Sequence, residues 1–442
     1  MLRGRSKVSE RHAGHGAPFR GPTLRTQLLA PPQLGNPACK RRPFRVYAVP
    51  MPVIPPLPTP SAFIIRPLCA FALFAFALAS CATPQSAGTA QPTPAPIAHS
   101  TATGPLRIAI IGLVHGHVEG LLWQASQRSD LSIVGIYEPN RALFDRLAAK
   151  YKLDPALHHS SLEGMLDAVK PEAVSVMSPI ADHLAAVEAC APRKIHLLIE
   201  KPLTFSAAHA ARMQHLADQH GILVLTNFET SWYASVREAH RITSSPDAAP
   251  IRRMVFRHGH KGPKEIGCAP EFLAWLTDPA ANGGGAIVDF GCYGAVLSTW
   301  LMNGQRPTSI VASRSTLKPG VYPRVDDDAT IVLTYPTATA VIQASWAWTH
   351  DNKEMDLHTE QGSIHAAKWD DLSLRTPDGP SRAVKPPPKP SHLQDEWTYL
   401  RQVVRGECPV DPLSSLQYNV IVAEILDAAL SQTPQPGVPV PQ

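Results

Sequence analysis

The stretch RIAIIGLVHGHVEG, residues 107–120, decides the fold. A continuous apolar run ends at Gly112 and gives way to a turn and then to helix-forming residues. That is the order of a buried strand, a tight turn and a helix, placed at about Val118–Gln127. The first amides of such a helix lack intrahelical partners and attract an anion such as a pyrophosphate. A full G-x-G-x-x-G motif has glycines at three positions. Here Val114 and His117 stand at the second and third, His115 lies between them, and Gly116 supplies a small residue one place early. The isopropyl group of Val114 crowds the backbone where a pyrophosphate approaches. Glu138 ends the next apolar run, LSIVGIYE. A carboxylate there accepts hydrogen bonds from a ribose diol and repels a 2′-phosphate, so NAD is favoured, with NADP as the alternative.

Working outward, runs of Val, Ile and Leu alternate with helical spacing up to ILVLTNFE. This predicts an α/β fold, with a doubly wound parallel sheet of Rossmann type over residues 105–226. Beyond it IRRMVFRHGH, TSIVASRST, DATIVLTYP and TAVIQASWAWTH follow one another with little helix between. Residues 227–442 therefore read as a C-terminal α+β domain with a mixed, mostly antiparallel sheet, closed by two helices, the last packing back across the domains.

Upstream, residues 1–50 carry ten Lys/Arg against one acid, whereas the part from Cys81 onward is net negative. The basic balance belongs to the leader, and the body shows no footprint for nucleic acid. Residues 61–84, SAFIIRPLCAFALFAFALASCATP, place an apolar run too short for a stable span before Leu-Ala-Ser-Cys. This resembles a lipoprotein signal, with cleavage before Cys81 and lipid on its sulfur. Residues 1–80 then form a leader, with Met51 as a plausible translation start, and residues 81–104 a Pro/Ala/Thr/Ser-rich tether. The expected location is outside the cytoplasm, membrane-anchored through Cys81 alone. Cys190, Cys268, Cys292 and Cys408 show no C-x-x-C pair and read mostly as buried thiols.

Three further stretches carry a resemblance. Pro179 precedes His183 in a Pro-x-x-x-His, with Ser178 before it. Glu200, Lys201 and Pro202 follow a strand. Gly283, Gly284 and Gly285 precede Asp289, Gly291 and Tyr293. In these motifs the sequence resembles the Gfo/Idh/MocA oxidoreductase family over residues 105–432. Tyrosine in place of histidine is similar to glucose–fructose oxidoreductase and its relatives. The resemblance implies that Gly112, Val114, His115, Gly116, His117, Glu138, Ser178, Pro179, His183, Glu200 and Lys201 contact the cofactor. It also implies that Lys201, Asp289 and Tyr293 carry the chemistry. The chain departs from the family at TNFETSWYASVREAH, where Ser231 and Ala234 fall near an expected arginine and proline.

The chemistry follows from residue types. Moving hydride from a carbinol to nicotinamide requires loss of the hydroxyl proton. Tyr293 is the candidate acid/base. A free phenol, pKa about 10, is a poor base at neutral pH, and a Lys201 ammonium nearby would stabilise its phenolate. Asp289, four residues before Tyr293, shares its face if the segment is helical, and can orient Lys201 or substrate. His115/His117 and His258/His260 form two H-x-H pairs, but no carboxylate or cysteine completes a recognisable metal set, so no metal is expected.

The expected activity is NAD(P)-dependent oxidation of a sugar or cyclitol-like polyol by a chain expected to be a homo-oligomer. Outside the cytoplasm the cofactor must stay bound and be regenerated in place. Two other readings stand beside it: a redox-neutral, NAD-dependent glycosidase, and a non-catalytic sugar- or nucleotide-binding lipoprotein.

Overall fold

The computed structural model describes residues 94–432. The expected leader, Cys81 and the first part of the tether lie outside the described residues.

Six strands form the first sheet: β1 (Leu106–Ile111), β2 (Leu131–Tyr137), β3 (His158–His159), β4 (Ala173–Val176), β5 (His196–Glu200) and β6 (Val224–Asn227). Every pairing is parallel, in the order β3-β2-β1-β4-β5-β6. Helices α1 (Val118–Gln127), α2 (Arg141–Tyr151), α3 (Leu162–Val169), α4 (His183–Cys190) and α5 (Ala207–His220) connect the strands and cover both faces. The strands are apolar without alternation because both faces are buried, with β4 and β5 buried throughout. Side-chain caps start the helices where the sequence offers them. Asn140 accepts from the Leu143 amide, Ser161 from Gly164 and Ser206 from His209.

After α6 (Ala234–Thr243), the strand β7 (Arg253–Gly259) opens the second sheet. Three short helices follow, α7 (Pro270–Leu276), α8 (Pro279–Asn282) and α9 (Ala286–Asp289), then the buried α10 (Gly291–Leu301). The sheet is completed by β8 (Ser309–Ser315), β9 (Asp328–Thr334), β10 (Thr339–Ser345), β11 (Asn352–Thr359), β12 (Gly362–Ala367), β13 (Asp371–Arg375) and β14 (Arg382–Ala383). Its order is β14-β13-β12-β11-β7-β10-β9-β8, antiparallel except where β10 runs parallel to β7. The expected mixed, mostly antiparallel sheet is present. α10 packs on β7 and β10, and the alternating burial of β9 and β10 gives that face its core.

Two helices close the chain, α11 (Glu396–Val404) and α12 (Leu416–Leu430). α12 contacts both α5 and α10 and so bridges the two sheets. α11 returns to the Rossmann layer, where Trp397, Leu400 and Val403 join the core of β1 and α1. The end of the expected tether docks on the same layer. The Ala95 amide donates to the Asp218 carbonyl, the Ala98 amide to Gly221, and the Ser100 amide to Val404.

The Gly283–Gly285 run allows close packing. A Cβ on Gly283 would meet the Phe205 ring at 2.4 Å, and one on Gly285 would meet the Asp326 carbonyl oxygen at 1.8 Å. Asp326 in turn accepts from the Gly285 and Ile287 amides at 3.0 and 2.8 Å and fixes the start of α9. The helix then breaks at Phe290, so Asp289 and Tyr293 lie on two helices rather than on one continuous face.

Candidate active site

The carboxyl ends of β1, β2, β4, β5 and β6 gather most of the expected residues. Gly112 leaves β1 with φ +81° and packs on Ser178, where a Cβ would lie 3.0 Å from the serine backbone. A cavity of about 440 Å³ opens there, lined by Gly112, Val114, Glu138, Ser178, Pro179 and Trp275 among others. Val114 therefore lines the crevice without filling it.

The turn is partly satisfied from within. The Leu113 amide donates to Glu138 Oε2 at 2.8 Å, and the Asn140 amide to Glu138 Oε1 at 2.8 Å. The His115 amide donates to the Met177 carbonyl, and the His117 amide to His115 Nδ1 at 3.1 Å. Among the described residues the Val114 and Gly116 amides have no acceptor. Burial raises the Glu138 carboxyl despite the two amides that favour its charge. The cavity, the unpaired Val114 amide and the lone pairs left on Glu138 fit the adenosine end of a dinucleotide.

Beyond Val114 the wall is aromatic. α7 brings Phe272 and Trp275 against the His115 ring, at centroid distances of 5.1 and 5.8 Å, and Trp275 Nε1 donates to the Val114 carbonyl. His115 is buried, and burial first of all holds its pKa down at about 3, so it is neutral. The His117 ring is half exposed and meets Glu200, Nδ1 to Oε2, at 3.0 Å. Both line a second cavity of about 360 Å³ with Gly116, Asn227, Glu229, Trp232, Trp369 and Glu396. His183 lines neither of these two cavities. It is buried, and its Nδ1 donates to the Leu203 carbonyl just after Glu-Lys-Pro. In this structure it holds that loop.

Lys201, just after β5, and Asp289, at the end of α9, meet and are 8% and 7% exposed. The Lys201 ammonium donates to the Asp289 carboxylate and to the Asp289 carbonyl at 3.0 Å, and Trp346 Nε1 donates to Asp289 Oδ2 at 2.9 Å. Burial works against both charges and their mutual attraction works for them. The attraction prevails, so Lys201 lies above and Asp289 below the usual value. The Lys201 Nζ sits 5.2 Å from the centre of the Tyr293 ring.

All three expected catalytic side chains are thus together. One expectation changes. Burial, then the Glu229 carboxylate, push the Tyr293 phenol well above its ordinary value. The Lys201 ammonium is engaged by Asp289, so Tyr293 stays a protonated phenol here rather than the phenolate expected.

Residues not singled out in the sequence complete the site. Lys353 on β11 bonds Glu229 at 2.8 Å and lies 5.9 Å from the Tyr293 ring centre. It arrives because Lys353 pairs with His258 in the β11–β7 register. His258 is edge-on to Tyr293 at 5.5 Å, while His260 faces Phe290, so this H-x-H pair serves aromatic packing. Glu229, Asn227 and Trp232 stand in the TNFETSW stretch, whose departure from the family pattern was the available signal.

Two profiles of one family match the chain. Residues 106–228 match the description "Oxidoreductase family, NAD-binding Rossmann fold", and residues 236–365 match "GFO/IDH/MocA C-terminal domain". The chain belongs to the Gfo/Idh/MocA family. Within this family it is similar to D-xylose 1-dehydrogenase [NADP(+)] of Haloarcula marismortui, 23% identical over 46% of this chain and 57% of the relative. The match thus spans little more than half of that enzyme. It is also similar to trans-1,2-dihydrobenzene-1,2-diol dehydrogenase of Xenopus tropicalis, 23% identical over 59% of this chain and 77% of the relative. Among solved structures, an aldose–aldose oxidoreductase from Caulobacter crescentus, complexed with glycerol, matches with a TM-score of 0.61 at 18% identity, over 74% of this chain and 96% of that one. At this identity the structural likeness speaks for the fold.

Proposed function

We propose that this Gfo/Idh/MocA chain oxidises or reduces a sugar or cyclitol-like polyol with a nicotinamide cofactor held tightly on an exported, Cys81-anchored body. The observation that carries the reading is the buried Lys201–Asp289–Trp346 group beside Tyr293. A lysine ammonium held charged and dry polarises a carbonyl or stabilises an alkoxide. Tyr293, kept protonated, would donate a proton to that oxygen once substrate reaches this group, which is buried and lines neither cavity.

Gly112, Val114, Glu138, Ser178 and Pro179 would hold the adenosine end, and the nicotinamide supplies the hydride donor or acceptor. Glu138 at the end of β2 favours an unphosphorylated ribose and hence NAD. The Trp232 and Trp369 faces lining the second cavity suit the apolar faces of a sugar ring. Tyrosine at position 293 supports a likeness to glucose–fructose oxidoreductase, in which one sugar is oxidised and another reduced. In a compartment without free NAD, such a cycle regenerates the cofactor in place.

Glu396 favours a second reading. It lines the second cavity, and burial raises its carboxyl. A carboxyl raised in this way is suited to protonate a leaving glycosidic oxygen, as an NAD-dependent glycosidase requires.

The test is mass spectrometry of the nucleotide released from purified, denatured protein. The holoenzyme is then incubated with free sugars and with aryl glycosides while nicotinamide absorbance is followed. Bound NAD(H) whose absorbance changes with a free sugar supports the first reading, and aglycone release without net reduction the second. Absence of any retained nucleotide, or full turnover by Lys201→Ala, overturns both.

A further inference from the structure

His117 and Glu200 are 83 positions apart in sequence, yet they meet at the mouth of one cavity. One ring nitrogen from each of His115 and His117 and one Glu200 carboxylate oxygen all lie within 4.8 Å of one another. Glu200 is the carboxylate that the H-x-H pair lacked in the sequence. Its place at the end of β5, beside the β1 turn, supplies it. We propose that His115, His117 and Glu200 bind one divalent transition-metal ion of zinc type, with an open coordination position facing the second cavity and filled by a hydroxyl or carboxylate oxygen of the substrate.

Four observations carry this. First, the donor set suits the ion. Two imidazoles and one carboxylate are the three protein ligands of open zinc sites and of facial iron(II) sites. Second, the spacing is close to what an ion needs. His117 Nδ1 and Glu200 Oε2, 3.0 Å apart, share a hydrogen bond that an ion would replace, and the His115 nitrogen lies within 4.8 Å of both, so a short inward shift of the rings closes the set at ~2.0–2.1 Å from one ion.

Third, the carboxylate is aimed from behind. Asn227 Nδ2 donates to Glu200 Oε1 at 3.1 Å, and Trp232 Nε1 donates to Asn227 Oδ1 at 3.0 Å. Such outer partners fix ligand orientation in metal sites. Fourth, the site is dry on one side and open on the other. The His115 ring is pinned by Phe272 and Trp275, whereas His117 and Glu200 line the cavity. Lys201, next to Glu200 in sequence, turns its ammonium to Asp289 and does not occupy the position.

The adenosine cavity uses Gly112, Glu138 and Ser178, whereas the three ligands stand among the residues expected to contact the rest of the cofactor, so metal and nucleotide are measured separately. The experiment uses the full chain without a histidine tag. It is stripped with a chelator and titrated with Zn2+ by calorimetry and with Co2+ by visible absorption, with nucleotide content measured on the same samples. One equivalent of either ion is expected, with a Co2+ band that shifts when azide is added.

His117→Ala and Glu200→Gln should each weaken binding more than 100-fold, and Asn227→Ala about 10-fold. The surface variant His350→Ala should bind as the parent does. Circular dichroism and Tm identify any variant that fails to fold. Asn227→Ala, which leaves all three ligands in place, keeps the test open in that case. No stoichiometric binding to the parent chain, or binding that survives both His117→Ala and Glu200→Gln, overturns the site. A Co2+ band insensitive to azide overturns the open position. Metal binding without nucleotide overturns the redox reading and leaves this one standing.

Discussion

At the scale of single residues, Lys201 and Asp289 form a buried pair in which each charge depends on the other. Removing one partner leaves the other charge buried and unpaired, a loss of about 3–5 kcal/mol. Lys201→Ala should therefore lower Tm sharply in addition to abolishing turnover, and the double variant Lys201→Met/Asp289→Leu should recover stability without activity. Scanning calorimetry and nicotinamide absorbance check the two halves. Val114 narrows the turn against the Trp275 ring. Val114→Gly should tighten NAD(H) binding several-fold by freeing backbone approach, measured by calorimetry on nucleotide-free protein. Both residues were legible in the sequence, Lys201 from Glu-Lys-Pro and Val114 from the interrupted glycine motif. Lys353 was not, because a lone lysine on a strand gains its role only from the neighbour that sheet register gives it.

The β1–turn–α1 unit and the glycine run are the elements that position the site. Helix α1 falls at Val118–Gln127, as the spacing requires, since its apolar stripe of Val118, Leu121 and Leu122 is continuous and local. The break between α9 and α10 was not legible. Residues 286–301 are nearly all apolar and carry no helix-stop signal beyond Gly291. Asp326 from a distant loop fixes where α9 starts, and at the break the Asp289 carbonyl accepts from the Lys201 ammonium across the site. Gly285→Ala places a methyl carbon into the Asp326 carbonyl and should cost about 3 kcal/mol or more, read as a fall in urea midpoint. It should also weaken turnover, because α9 carries Asp289.

Across the whole molecule, buried histidines tie stability to pH. Burial holds His258 at about 3 and His240 at about 4, and lowers His183 and His196 as well. Their unfolded value is about 6.5. Below that pH the unfolded chain takes up protons that these folded histidines refuse, so their contribution is complete above about pH 6.5 and is lost as pH drops from about 6.5 toward 3. His117, opposed by burial but raised by Glu200, works the opposite way above about pH 6.5. Urea midpoints should decline as pH falls through the window from about 6.5 toward 3. The docked segment 95–100 ties α5, β5 and α11 together, with Ser100 Oγ and the Arg405 guanidinium both on Glu172. A chain starting at residue 101 should therefore melt several degrees below one starting at residue 94. By itself the sequence determined the two sheets, their parallel and antiparallel character, the nucleotide turn and the three catalytic candidates. Each of these is written in local periodicity or in a short motif. Only the tertiary structure decided that Glu200 completes a histidine pair, that Lys353 and His258 flank Tyr293, and that Tyr293 rests as a phenol. Those facts depend on which strand ends lie side by side and on how much water they exclude, and neither quantity is carried by any one stretch of chain.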